Sequence, residues 1–147
     1  MLALTLPYPP SVNHYWRHVV VRGRAQVHLS TKGARYRRDV AMIIFAQTQG
    51  AVHFDGWVAV EAIAYPPDKR ERDLDNLPKS VFDALQATKI LERDSQIVDF
   101  RFRRGPVVKG GELKMRIVGT PLATTEDFDH ASDIVTRRII ESLEPSP

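Results

Sequence analysis

Leucines alternate with small residues from Leu2 to Leu6, the period of two that marks a strand with one buried face, and Pro7, Pro9 and Pro10 bring the run to a stop. β-Branched residues on both sides of Gly23, from Val19 to Leu29, predict a hairpin that turns near that glycine. The period then changes. Tyr36, Val40, Ile43 and Ile44 have helical spacing, Ser30 or Thr31 stands where an N-cap belongs, and Gly50 supplies the stop. Trp57 to Tyr65 reads as a strand ended by Pro66 and Pro67, and Leu77, Val81, Ala84, Leu85 and Thr88 trace one face of a second helix. From Ile97 to Arg104, Val98, Phe100 and Phe102 oppose Asp99, Arg101 and Arg103. Beyond Gly110 and Gly111, Leu113, Met115 and Ile117 oppose Lys114 and Arg116. These two runs are expected to pair as an antiparallel ribbon with one apolar and one basic face. Past Pro121 and the Thr124–Thr125 pair, Phe128, Ala131, Val135, Ile139 and Leu143 space out a last helix. Strands and helices mix without a strict βαβ period, so the expected class is α+β. It would be a small mixed sheet with antiparallel strand pairs packed against two helices, plus a C-terminal helix. Residues 1–120 would form the domain, and residues 121–147 a linker and an acidic amphipathic helix.

A chain of 147 residues suits one such domain with a terminal appendage, and its 43% hydrophobic and 27% charged residues are ordinary for a globular protein. The absence of cysteine excludes disulfides, thiolate metal sites and a cysteine nucleophile. No apolar run approaches the roughly 20 residues of a membrane span, and the start lacks the basic residues of a signal peptide, so a cytoplasmic protein without membrane contact is expected. The net charge of +3 is unevenly spread: six acids and two bases after residue 123 leave +7 on residues 1–123. The bases there are mostly arginines in groups: Arg22 and Arg24; Arg35, Arg37 and Arg38; Lys69, Arg70 and Arg72; Arg101, Arg103 and Arg104. Such groups suit a phosphate backbone, and equally a solvated charged surface.

The segment richest in chemistry is Arg70-Glu71-Arg72-Asp73-Leu74-Asp75-Asn76-Leu77-Pro78-Lys79. In an extended segment residues two apart point the same way, so Asp73 and Asp75 would converge and could hold a hard divalent cation. Pro78 has no N–H at the place where Asp75 would cap a helix, which makes Asn76 or Leu77 the better cap and leaves Asp75 free. Lys79, one turn on, can face the same site or pair with Asp83, and both can hold together. Asp94, just before a strand, offers a third carboxylate. The second helix carries the chain roughly 20 Å away and the return from Lys89 can span about as much, a tight closure that a partner chain's Asp94 would relieve. Rival motifs fail: an EF-hand starting at Asp73 would need Gly at position 78, where Pro stands, and no phosphate loop, nucleophile elbow or convincing zinc spacing occurs.

The sequence resembles the RusA family of Holliday junction resolvases. The resemblance rests on Leu6-Pro7-Tyr8-Pro9-Pro10-Ser11-Val12-Asn13, Arg72-Asp73-Leu74-Asp75-Asn76-Leu77 with Lys79, Phe82-Asp83-Ala84-Leu85, Asp94-Ser95-Gln96-Ile97 and Lys109-Gly110-Gly111, in family order over about residues 1–120. It implies a homodimeric Mg²⁺- or Mn²⁺-dependent endodeoxyribonuclease that cuts four-way DNA junctions. Asp73, Asp75 and Asp94 would be the metal ligands and, with Lys79, the catalytic residues. Arg70, Arg72, Arg101, Arg103 and Lys109 are the expected DNA contacts. Tyr15 and Trp16 could stack on opened bases, though core packing suits both better. A non-catalytic binder of branched DNA, its carboxylates purely structural, is the competing expectation.

Overall fold

The structure is a computed structural model that describes residues 1–122; the expected helix over 121–147, with its stripe from Phe128 to Leu143, lies outside the described residues. The alternating leucines form β1 (Leu2–Pro7), and the proline run leads into a four-residue helix α1 (Val12–Tyr15) that periodicity had not announced. The hairpin is β2 (Trp16–Val21) with β3 (Arg24–Leu29), turning at Arg22 and Gly23. Both turn residues have positive φ (51° and 75°), the left-handed pair that a two-residue hairpin needs to match strand twist. Helix α2 (Thr31–Thr48) is capped by Ser30, whose Oγ accepts from Gly33 N, and ends at a left-handed Gln49 just before Gly50. A Cβ at position 33 would collide with the carbonyl of Tyr15, so the start of α2 lies against the main chain of α1.

The remaining elements are β4 (Val58–Tyr65), α3 (Pro78–Ala87), β5 (Ile97–Arg104) and β6 (Glu112–Gly119). The main sheet runs β1-β6-β4-β5, with β6 antiparallel to both β1 and β4, and β5 parallel to β4. The expected β5–β6 ribbon is therefore incorrect. Both runs have the faces their alternation announced, but β4 lies between them. A period of two fixes which side chains share a face and says nothing about neighbours; the passage through α3 returns β5 parallel to β4, which leaves the other edge of β4 to β6.

One face of the sheet and two helices make the core. Leu4, Leu6, Val58, Val60, Ala62, Leu113, Met115 and Ile117 are buried with Tyr36, Val40 and Ile44 of α2 and with Leu77, Val81, Ala84 and Leu85 of α3. Phe82 of α3 meets Phe100 and Phe102 of β5 edge-on, with centroids 5.5 and 5.9 Å away. Tyr15 is fully buried and Trp16 packs on it, so core packing is what the structure shows for both. On the opposite face Glu61 of β4 accepts from Arg103 of β5 (2.6 Å) and from Arg116 of β6. No helix among the described residues is long and apolar enough to cross a membrane.

Candidate active site

Two short 3₁₀ turns flank α3. The first, Leu74–Asn76, has Asp73 as its cap residue and Asp75 at its centre, so the segment is not the extended one the alternation argument required. Leu77 caps α3 and Pro78 occupies its first turn, which removes Asp75 from capping as expected. Both aspartates are exposed, and Asn76 Nδ2 donates to Asp73 Oδ2 at 3.4 Å.

The second turn, Asp94–Gln96, begins on the third carboxylate. Lys79 Nζ donates to Asp94 Oδ2 at 2.5 Å and pairs with Asp83 Oδ1 at 3.0 Å, so both expected partners hold it at once. The return loop thus brings Asp94 back to Lys79 of α3 within one chain, fifteen residues on. The hydrogen bond to Asp94 holds the Lys79 ammonium above its ordinary pKa, and the same bond holds the Asp94 carboxyl below the usual carboxylate range. Asp83 is largely covered, and its Oδ2 is buried without a hydrogen-bond partner among the described residues.

Gln96 fixes the return loop, and sequence reasoning gave it no role. Its buried amide accepts from the main-chain N–H of Glu92 (2.8 Å) and Arg93 (3.0 Å) and donates to the carbonyls of Phe54 (2.7 Å) and Gly56 (3.0 Å). All four hydrogen-bonding positions of the amide are filled, so the loop carrying Asp94 is clamped to the segment before β4. Ser80 does the same at the other end of the site: its hydroxyl lies 2.7 Å from the carbonyl of Pro10 and 2.9 Å from that of Leu77. No spacing rule marks a lone Gln or Ser for such work.

The expected basic contacts divide into two kinds. Arg72 makes a two-pronged bond to Asp68 (2.7 and 3.0 Å) and lies 5.8 Å from the Tyr8 ring, and Arg70 also pairs with Asp68. The Arg72 guanidinium and the main-chain N–H of Arg70 push the Asp68 carboxyl down to about 2. Arg103 is bound to Glu61, whereas exposed Arg101 and Lys109 have no ion pair among the described residues. Arg104 donates to the main-chain carbonyl of Arg72 and so joins β5 to the aspartate turn.

A divalent ion would find hard oxygen donors here and nothing else, the chemistry Mg²⁺ and Mn²⁺ prefer. Among the described residues no three His, Cys, Asp or Glu side chains are gathered into a metal-holding group. Asp73 and Asp75 stand at one turn and Asp94, bound to Lys79, at the other, so the three carboxylates do not form a closed protein cage.

Comparison with known proteins identifies the family. The family model for endodeoxyribonuclease RusA matches residues 7–118. The chain is similar to the crossover junction endodeoxyribonuclease RusA of Escherichia coli K12, at 41% identity over 115 residues, which covers 78% of this chain and 92% of that protein. It is similar to the enzymes of the same name from enterobacteria phage 82 (42% over 117 residues; 78% and 91% covered) and phage HK97 (42% over 112 residues; 76% and 89% covered). The matched stretch runs from the proline-rich segment to the end of β6 and includes Asp73, Asp75, Lys79 and Asp94. The chain belongs to the RusA family of endodeoxyribonucleases.

Proposed function

We propose that this protein is a metal-dependent, structure-specific endodeoxyribonuclease that resolves four-way DNA junctions by paired phosphodiester hydrolysis in recombination and repair, working as a homodimer. The observation that carries the reading is the meeting of Lys79 with Asp94, immediately after the turn that presents Asp73 and Asp75, inside a family match of crossover junction nucleases. Asp73, Asp75 and Asp94 would hold Mg²⁺, or Mn²⁺ in its place. A bound ion of this kind supplies charge neutralisation at a phosphodiester and makes water more acidic. Lys79, kept protonated by its two carboxylate partners, offers a positive charge toward phosphate oxygens as negative charge builds there. Asp83 and Gln96 act as positioning residues, one for the ammonium and the other for the Asp94 loop. Arg70, Arg72, Arg101, Arg103 and Lys109 would contact the arms of the junction, and a two-fold dimer would set two sites against a substrate of matching approximate symmetry. Exposed Val98 and Phe100 on the edge strand β5 are an apolar surface available to a second copy.

The competing reading, a branched-DNA binder without catalysis, draws on the lack of a three-carboxylate group among the described residues. One assay separates the two: incubation with a four-way junction or plain duplex, in Mg²⁺ or in EDTA. Symmetric nicking of the junction that requires Mg²⁺ is the expected result, and tight binding without any nicking would leave only the binder.

A further inference from the structure

Between the proline-rich segment, α2 and the aspartate turn lies an open cavity of about 690 Å³, within the usual range for ligand pockets, about 300–1,000 Å³. Three separate sequence motifs border it: the Pro7–Asn13 stretch, the Arg70–Leu77 segment and Gly110. Gly111, at φ +68°, packs so closely on Tyr8 and Pro67 that a Cβ there would lie 2.9 Å from each, which ties the glycine turn to the Tyr8 wall. That wall is flat and apolar, made of Tyr8, Pro9, Pro10 and Pro67. Helix α2 contributes Lys32 and Arg35, one turn apart and without an ion pair among the described residues. The exposed Asn13 amide of the lining lacks a side-chain hydrogen-bond partner among the described residues. Asp73 stands on the border of the same cavity.

We infer that this cavity holds one unstacked nucleotide of the strand to be cut, its phosphate against Lys32 and Arg35 and its base against the Tyr8 and proline wall. The inference rests on the nuclease reading for which strand is bound, and on the cavity for what is bound. One nucleotide, already loosened where strands cross, enters at little unstacking cost. Unpaired cations at one side, an apolar wall and a free amide group are together the complement of phosphate, base face and base edge. With Asp73 on the border, the bound nucleotide lies next to the proposed cleavage site, and the Asn13 amide gives the pocket a means of preferring one base.

The test is a titration of ¹⁵N-labelled full-length protein, in EDTA, with a 5′-phosphorylated DNA dinucleotide and with its counterpart lacking the first base. Amide shifts are expected on Tyr8 and on residues 11–14, 32–39, 70–77 and 110, with at least five-fold weaker binding of the abasic probe. The exposed pair of changes Lys32→Ala and Arg35→Ala should weaken binding ten-fold or more. Shifts confined to the Arg101, Arg103 and Arg116 face, equal affinity for the abasic probe, or unchanged affinity in the double variant would each overturn the pocket. Junction nicking by the same preparation is scored separately. Nicking without dinucleotide binding removes the pocket alone, and dinucleotide binding without nicking removes the nuclease reading alone.

Discussion

Single side chains decide both the chemistry and the acid stability of the site. Asp73→Asn or Asp75→Asn should lower metal-dependent junction cleavage by about 10²-fold or more, while junction Kd stays the same or tightens because a charge that repels phosphate is gone. Cleavage and gel-shift assays on the same variant check this, and a parallel loss of binding would point to folding instead. Asp68 makes a pH prediction. Arg72 and Arg70 hold its carboxyl at about 2, below the ordinary 3.8. Its stabilising effect is therefore complete above pH 3.8 and disappears as pH falls toward 2. Urea unfolding at several pH values should show a shallower acid loss for Asp68→Asn than for the parent in that window. At this scale the sequence was readable where residues carry charge in a pattern: Asp73, Asp75, Lys79 and Asp94 stand out by type and spacing. Gln96 did not, because two of its four bonds reach carbonyls some 40 residues away, and no spacing rule marks the two local ones.

At the scale of elements, α3 is the part that assembles the site. One face of it is core, with Val81, Ala84 and Leu85 fully buried, and its first turn places Lys79 between Asp83 and Asp94. Leu85→Ala should cost about 2–5 kcal/mol in equilibrium unfolding, the usual loss for a leucine removed from a close-packed interior. Ser80→Ala should cost about 1–2 kcal/mol, since the Pro10 carbonyl loses its donor, and should loosen the proline-rich segment. Hydrogen exchange along residues 11–15 would report that loosening. Every described helix and strand except α1 was legible from periodicity, caps and prolines. The 3₁₀ turn at Leu74–Asn76 was not, because a three-residue turn has no period to detect. Sheet order escaped for a different reason: the alternation in β5 and β6 is satisfied equally well by adjacency or by a strand in between.

The whole molecule combines a positive body with a sheet whose first and last strands are neighbours. Junction affinity should fall steeply with salt, by about 0.9 log units per log unit of salt for each phosphate neutralised, and Arg101→Ala with Lys109→Ala should flatten that slope by nearly two such contacts. Titrations between 50 and 200 mM salt, about the range where such losses are largest, test this. The pairing of β1 with β6, Leu2 opposite Ile117 and Leu6 opposite Leu113, also governs how the protein comes into being. During synthesis β1 emerges before the other described strands, and its strand partner is the last of them to be made. Until residues 112–119 have appeared, β1 and one edge of β4 are open hydrogen-bonding borders with apolar faces, the arrangement most prone to pairing with other chains. Premature release near Gly111 would yield a fragment that already contains Asp73, Asp75, Lys79 and Asp94 yet lacks the strand that joins the two halves of the sheet. Completion of the sheet therefore waits on β6, the one described strand that pairs with both β1 and β4.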